Sequence, residues 1–444
     1  MSPKRKSERT GHGHASEDDG IDVLPDALLQ HILSFLTADE AVMTSVLSRR
    51  WRHLWRRTAV LRVADSGRWK HWEAFNKFVN HLVLSRGSNP LHRFELGIEP
   101  CREEYVIDDD NAYRYVMMWV MYALVCHVRE LKITNLMETY VDMDAGVALV
   151  SRHLTTLELS GLRFDRCSLD FSSCPALQAL CFTDSCCFVS VKKISSRSIQ
   201  RLGFRCPRFS KHHRTRVHAP SIVTLNLDCF WGRTPFLEAM PSLVTGFVRP
   251  DEDCDDWCGN TYAVSCEDGS CEGCYGMADE IGDGSAKCVL LGGLSEARDL
   301  ELIAGPEMRI FRSDLRWCPM FSKLKTLLLN DWCVATNFWA LACILERSPV
   351  LEKLTLQVSK ETKPIIGIEE NHSALVKPPA ISKHLKVVRV HCKEVDEGVC
   401  KILKFLTTLD VEVIIKRMDR SATLFSFEEG EGHLGSNLDE ESST

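Results

Sequence analysis

The residues of this 444-residue chain that could do chemistry are cysteines, histidines and carboxylates, and few of them share a useful spacing. Three aspartates, Asp108, Asp109 and Asp110, follow one another, and five cysteines cluster in one acidic segment. There is no glycine-rich phosphate loop after an expected strand, no His-Glu-x-x-His motif and no nucleophile elbow. Nothing offers the aspartates partners at a metal-ligand spacing, so a solvated turn is favoured. The sequence therefore predicts no catalytic residue and no enzyme.

The cysteine cluster could hold zinc, because its CDDWC and CEGC stretches have spacings that zinc ligands use. The competing interpretation is that the cysteines have no function and lie in a flexible insertion that tolerates them. Residues 251–286 contain 11 acidic and no basic side chains, which is typical of such an insertion. We favour the second, because the intervals between the cysteines are irregular. The sequence thus predicts a mobile acidic insertion, with no metal and no cofactor. The five cysteines are Cys254, Cys258, Cys266, Cys271 and Cys274.

Composition restricts the classes of partner. A formal net charge of −7 argues against nucleic acid as a partner. The longest apolar run, Tyr115–Cys126, falls short of the roughly 20 residues that cross a bilayer, so no membrane association is expected. Twenty cysteines with no visible secretory signal are typical of a reducing compartment. We therefore expect an intracellular protein of the nucleus, the cytoplasm or both.

The stretch at residues 24–57 predicts three short helices. Pro25 suits the first position of a helix that runs to about Phe35, because the missing N–H of proline costs nothing there. Thr37 and Glu40 have the spacing of a capping box and start a second helix. The third helix lies in RRWRHLWRRT and has an apolar face, opposite its arginines, that carries Trp51, Leu54 and Trp55.

These helices carry more apolar bulk than they can bury by themselves. Arginines between exposed aromatic rings would indicate a nucleic-acid or membrane surface. The two tryptophans share the apolar face, however, so solvated arginines are the favoured interpretation. A unit of fewer than about 40 residues buries its own apolar surface poorly. Either the rest of the chain or a partner protein must cover the remainder.

The segment resembles an F-box, the motif that docks on the Skp adaptor of cullin-type ubiquitin ligases. The resemblance rests on LPDALLQHILSFL and SVLSRRWRHLWRR and covers about Asp22–Arg62. It implies a Skp-type adaptor as partner and, through the adaptor, a cullin. The adaptor-facing positions that it implies are Leu24, Pro25, Leu28, Ile32, Leu33, Val46, Leu47, Ser48, Trp51 and Leu54. An equally good interpretation is that some of these apolar side chains form the internal core of the motif and do not contact a partner. It applies to Leu28, Ile32, Leu36, Val42 and Trp55.

A six-residue pattern, apolar-x-x-apolar-x-apolar, recurs through residues 63–420. It reads LTTLEL from Leu154 and LQALCF from Leu177, and successive starts between Val128 and Leu243 lie 21 to 26 residues apart. This is the period of leucine-rich repeats, in which each unit contributes one strand and a return segment. Stacked repeats bury their leucines against one another and form a parallel sheet on the concave side. Return segments that are too short and polar for a helix are expected to be irregular loops.

Three stretches outside the repeat pattern predict helices: Tyr113–Val128, Asn337–Ser348 and Gly398–Leu406. The strands expose polar positions that could face a target protein, and their mixed character indicates no class of ligand. These positions are Thr156, Glu158, Thr224, Asn226, Lys325, Lys353 and Thr355.

The chain as a whole resembles plant F-box proteins with degenerate leucine-rich repeats and an FBD-like C-terminal region. The expected fold class is α/β, with a small all-α F-box in residues 20–62 and an irregular leucine-rich-repeat solenoid in 63–420. Residues 1–19 and the acidic 421–444 are expected to be disordered tails. The resemblance implies substrate recognition in an SCF-type ubiquitin ligase, with the repeats holding an unknown target protein. The alternative is a non-ligase scaffold that binds proteins through the repeat surface.

Overall fold

A computed structural model describes most of the chain between residues 21 and 417. The described residues are 21–64, 69, 71–98, 109–136, 140–144, 149–165, 169–254, 256, 288–305, 310–334, 338–358 and 381–417. The expected tails at 1–19 and 421–444 lie outside them. So do Asp108 and most of the acidic segment.

Eight α-helices lie within the described residues, two of them in the N-terminal segment and six among the repeats. They are α1 (Asp26–Leu33), α2 (Ala38–Met43), α3 (Trp72–Arg86), α4 (Asp109–Val125), α5 (Leu291–Leu294), α6 (Ile310–Leu315), α7 (Trp339–Glu346) and α8 (Glu397–Thr407). The described 3₁₀ segments are Ile21–Val23, Thr44–Val46, Trp51–Arg57 and Asp331–Cys333. The three helices expected outside the repeat pattern correspond to α4, α7 and α8. Asp109 and Asp110 begin α4, so the solvated turn expected for them is wrong.

The solenoid is built on one continuous sheet of parallel strands, each paired with the strand of the next repeat. In chain order, β1 to β13 are Val60–Val63, Arg93–Ile98, Glu130–Asn135, Thr156–Ser160, Ala179–Thr183, Arg201–Arg205, Thr224–Gly232, Thr245–Cys254, Asp299–Leu302, Thr326–Asn330, Lys353–Val358, Val387–Cys392 and Glu412–Arg417. The expected fold class, a small helical F-box followed by a repeat solenoid with a parallel sheet, is confirmed.

The repeat pattern identified the core correctly. Leu157, Leu180 and Leu202, which lie at the same position of successive patterns, pair in register and are almost completely buried. A column of packed phenylalanine rings continues this core behind the sheet, with neighbouring centroids such as those of Phe182 and Phe204 at 5.2 Å. Alternation along each strand points every second side chain inward, so stacking converts the sequence period into a continuous apolar core.

The middle return segments are more regular than expected. Strands β4 to β8 start 21 to 23 residues apart, while the described helical return segments lie in repeats of 25 to 54 residues. In place of helices or irregular loops, short strands at Leu169–Asp170, Lys193–Ser195, Arg216–His218 and Phe236–Leu237 form a second parallel ladder. The expectation of irregular loops is therefore wrong here. Two-residue and three-residue strands carry too few residues for a detectable period.

Two predicted domain boundaries fall within strands of the sheet. Strand β1 starts at Val60, so the predicted F-box boundary at residue 62 falls inside the sheet, with no linker. Strand β8 runs to Cys254, which places the first four residues of the predicted insertion in the sheet. Asp256 is also anchored, since its buried carboxylate accepts a hydrogen bond from Arg214 Nη1 at 2.5 Å.

The chain after the acidic segment is held by Asp314 of α6. Its buried carboxylate accepts hydrogen bonds from the backbone N–H groups of Val289, Leu290 and Leu291 at 2.7 to 2.8 Å. Burial raises the pKa of this carboxyl to about 6, against the opposing effect of the three N–H donors. The side chain thus fixes the start of α5 against α6.

Candidate protein-docking surface

The first helix of the N-terminal segment is placed by the residues that precede it. Pro25 is the N-cap of α1 and its carbonyl accepts the first helical hydrogen bonds, so the helix starts one residue later than predicted. Arg50 donates to the Leu24 carbonyl at 2.5 Å and pairs with Asp26 at 2.7 Å. These contacts tie the start of α1 to the third helical segment.

The second and third segments confirm two local predictions. Thr37 and Glu40 form the expected capping box, in which the Glu40 carboxylate accepts from the Thr37 N–H at 3.0 Å. The third segment is a 3₁₀ helix, Trp51–Arg57, whose Trp51, Leu54 and Trp55 are buried together. Because these aromatic rings are buried, they cannot stack with bases or insert into a membrane surface.

The ten positions implied by the F-box resemblance fall into three groups: exposed, half-buried and buried. The exposed apolar side chains include Leu28, Val46 and Leu47, at 50 %, 88 % and 64 % of full exposure, and Ile32 one turn after Leu28. Pro25 is also exposed, and Leu24 and Ser48 are half-buried. Leu33, Trp51 and Leu54 are buried within the chain itself. Five side chains could, from the sequence, belong either to the core of the motif or to its partner-facing surface. Of these, Trp55 is buried, Leu36 and Val42 are half-buried, and Leu28 and Ile32 are exposed.

Four further exposed apolar side chains extend this set, and sequence reasoning missed them. They are Ile21, Val23, Phe35 and Met43. Phe35 follows Leu28 and Ile32 at a spacing of seven and three residues, which continues one helical stripe beyond the end of α1. That spacing was the signal that could have identified it. We call Leu28, Ile32, Phe35, Met43, Val46 and Leu47 the F-box apolar surface.

Comparison with known proteins identifies the segment that carries this surface. The F-box domain model matches residues 21–62. The chain is 28 % identical over 360 residues to the meiotic F-box protein MOF of Oryza sativa subsp. japonica, covering 77 % of this chain and 72 % of that protein. It is 25 % identical over 460 residues to an F-box/LRR-repeat protein of Arabidopsis thaliana, covering 88 % of this chain and 94 % of the relative.

The chain contains an F-box and is similar, over most of its length, to plant F-box/LRR-repeat proteins. A second F-box/LRR-repeat protein of Arabidopsis thaliana is 29 % identical over 249 residues, or 43 % of this chain. That match spans about half the length of the relative, 51 %. The relatives confirm the resemblance read from the F-box and repeat motifs.

The F-box is joined to the solenoid through Arg86, at the end of α3. Its guanidinium is almost completely buried and donates to the Thr58 carbonyl at 2.8 Å and to the Asn89 carbonyl at 2.6 Å. Tyr122 of α4 accepts from it at 3.3 Å, and burial raises the pKa of this phenol to about 12 although Arg86 opposes the shift. The contacts bind the last F-box residues to two solenoid helices. They therefore favour one orientation between the F-box and the repeats.

The polar side of the sheet carries paired charges. Lys132 and Glu158, which are in register on adjacent strands, form an ion pair at 2.6 Å. Arg249 and Asp228 pair at 2.6 Å further along the sheet. Of the candidate target-facing residues, Thr156, Glu158, Thr224, Asn226, Lys353 and Thr355 lie on this side of the strands, while Lys325 precedes β10 and pairs with Glu352 at 2.5 Å. The structure thus aligns six of the seven on one face.

Burial keeps the Cys186 and Cys254 thiols unreactive. Burial raises the pKa of the Cys186 thiol to about 12 and holds that of Cys254 well above its ordinary value, so both are protonated at neutral pH. The Cys254 thiol donates to the Gly232 carbonyl at 3.0 Å. Cys258, Cys266, Cys271 and Cys274, for which zinc binding was considered, lie outside the described residues. Within the described ranges, no three His, Cys, Asp or Glu side chains are arranged to hold a metal ion.

None of the helices in the described part of the chain combines the length and the hydropathy that a membrane-spanning helix needs.

Proposed function

We propose that this chain is the substrate-recognition subunit of an SCF-type ubiquitin ligase. The observation that carries the proposal is the F-box apolar surface, which packing against the solenoid leaves exposed. Several exposed apolar side chains grouped in one short segment are typical of protein-binding sites. The F-box match at residues 21–62 supports a Skp-type adaptor as the protein that covers them.

The ten residues implied by the resemblance then have two roles. Leu28, Ile32, Val46 and Leu47 would bury their exposed parts against the adaptor, with Leu24, Pro25 and Ser48 at the edge. Leu33, Trp51 and Leu54 would act indirectly, because their burial holds α1 and the 3₁₀ segment in position. Removing a buried member would therefore impair folding and adaptor binding together.

The adaptor would connect this chain to a cullin, and the polar face of the solenoid would hold a target protein. The rigid joint at Arg86 would keep the target at a set distance from the adaptor. Catalysis would then be proximity, because tethering raises the effective concentration of target lysines near the activated ubiquitin. No side chain of this chain would make or break a bond. We place the protein inside the cell, in the nucleus, the cytoplasm or both.

Capture of a purified Skp-type adaptor by the full-length chain tests the proposal. Leu28→Asp places a charge on the F-box apolar surface and should abolish capture, because an unpaired charge buried in an interface is strongly unfavourable. Leu84→Asp is the matched control, since Leu84 is 79 % exposed but lies on α3 of the solenoid. It should capture the adaptor as the wild type does.

Two results would refute the adaptor interaction. One is a wild-type chain that does not bind the adaptor, and the other is a Leu28→Asp variant that binds it unchanged. Either would leave the scaffold function, in which the repeats alone bind a partner.

A further inference from the structure

Two half-buried cysteines lie opposite each other on neighbouring repeats of the solenoid. Cys206 follows strand β6 directly, and Cys229 lies in strand β7. The residue pairs on either side of them have the same offset along the chain, Arg205 with Asp228 and Arg208 with Trp231. The Cys206 N–H also donates to the Asp228 carbonyl at 2.8 Å. The two cysteines are therefore held in register on adjacent backbones.

The backbone turns both cysteine side chains in the same direction. The φ angles of Cys206 and Cys229 are 50° and 53°, in the left-handed region that residues with a Cβ rarely adopt. Asp184, which follows β5 as Cys206 follows β6, has a φ of 46°, so this conformation belongs to the corner of the repeat. Neighbouring strands lie about 4.8 Å apart, and a disulfide joins Cα atoms that are about 4.4 to 6.8 Å apart. The register thus brings the two thiols within reach of each other.

The surroundings of the two thiols give them different roles. The Cys229 thiol lies in hydrogen-bonding range of the Cys206 sulfur and donates to the Asp251 carboxylate at 3.2 Å. Burial, Asp251 and Cys206 together raise the pKa of the Cys229 thiol to about 12, so it is protonated at neutral pH. A protonated thiol reacts slowly with an oxidant, and we therefore expect oxidation to begin at Cys206.

We propose that Cys206 and Cys229 are a modification site, at which hydrogen peroxide forms a reversible disulfide between β6 and β7. Peroxide oxidises the Cys206 sulfur to a sulfenic acid and is reduced, releasing one water. The Cys229 sulfur then attacks the Cys206 sulfur and the S–S bond forms. The departing hydroxide takes up the Cys229 proton and leaves as a second water. Two thiols are oxidised for each peroxide reduced.

The disulfide would connect two neighbouring repeats beside the polar face of the sheet. Asp228, whose ion pair with Arg249 lies on that face, is next to Cys229 in the chain. A disulfide stabilises a folded chain mainly by restricting the unfolded one, so oxidation should raise the urea concentration at which the solenoid unfolds. The proposal does not depend on the adaptor interaction, because both cysteines lie in the solenoid and not on the F-box apolar surface.

Peptide mapping of the folded, full-length chain after treatment with hydrogen peroxide tests the proposal. The remaining thiols are alkylated, and the chain is then digested with trypsin and analysed by mass spectrometry. Cleavage after arginine places the two cysteines in the separate peptides 206–208 and 217–233, neither of which contains another cysteine. We expect these two peptides to be linked, with the mass of their sum less two hydrogen atoms. Dithiothreitol should separate them again.

Two variants and a control show whether the linkage depends on this pair. Cys229→Ser should remove the linked peptides and leave Cys206 as a sulfenic acid, which dimedone traps. Cys206→Ser should also remove them, and it keeps the test valid if the first variant does not fold. Cys400→Ser is the matched control, because Cys400 is exposed on α8. Its yield of linked peptides should stay within about twofold of the wild-type yield.

Three results would overturn the proposal. The first is an oxidised wild-type chain in which peptides 206–208 and 217–233 are not linked. The second is an equal yield of linked peptides from a chain oxidised in urea, because the linkage would then not depend on the folded register. The third is a rise in the urea midpoint on oxidation that is as large in Cys229→Ser as in the wild type.

Discussion

The division of the F-box residues into exposed and buried members leads to a prediction that separates binding from folding. Val46 is 88 % exposed and Trp51 is 3 % exposed, yet the resemblance places both at the adaptor. Val46→Asp should therefore weaken adaptor binding in a chain of normal stability. Trp51→Ala should destabilise the chain and lose binding only as a consequence.

The magnitudes follow from burial. Complete burial of a valine side chain contributes about 1.5–3 kcal/mol, so the part of Val46 still available to a partner is worth about 2 kcal/mol. Its loss corresponds to a dissociation constant about thirtyfold weaker, before any cost of burying the new carboxylate. Trp51→Ala leaves a cavity in the F-box core, which costs about 3–5 kcal/mol of unfolding free energy.

Two measurements on each full-length variant check this prediction. Titration with the purified Skp-type adaptor gives the dissociation constant, and urea unfolding in the absence of adaptor gives the stability. The reasoning is refuted if Val46→Asp binds within about twofold of the wild type. It is equally refuted if Trp51→Ala unfolds at the wild-type urea concentration while losing the adaptor, since Trp51 would then be a contact residue.

Two further predictions concern the solenoid. A methyl group on Gly161, whose φ is 66°, would collide with the Asn135 carbonyl oxygen, while one on Gly87, whose φ is 63°, would meet no atom within 4 Å. Gly87→Ala should cost about 1–3 kcal/mol in urea unfolding, and Gly161→Ala clearly more; equal losses would contradict this. Because burial raises the pKa of Asp314 to about 6, the folded chain binds more protons than the unfolded chain between pH of about 4 and 6. The stability difference between wild type and Asp314→Asn should therefore shrink as pH rises through that window, and a constant difference would show that the carboxyl does not titrate there.

Much of the fold was predictable because its signals are local. Leu157, Leu180 and Leu225 were assigned to the core by spacing alone, and stacking of repeats leaves no other place for them. The capping box of Thr37 and Glu40 was predictable for the same reason, since both partners lie within one turn. The short strands of the second ladder were not, because each contains too few residues for a period and exists only through its neighbours.

The candidate site was predictable in part. The F-box motif indicated which residues belong to the docking segment, but Leu28 and Leu33 of the same helix have opposite exposures. The joint at Arg86 had no signal in the sequence, because Arg86 lies 28 residues from Thr58 and 36 residues from Tyr122, the partners that it contacts. Convergence of that kind depends on long-range packing.

The amino-acid sequence by itself determined the repeat period, the buried face of each strand and the presence of an F-box, since these depend on spacing between near neighbours. Only the tertiary structure decided which apolar F-box side chains remain available to a partner and how the F-box is joined to the solenoid. Both are set by how α1, the Trp51–Arg57 segment and α3 pack together. No local spacing specifies that packing.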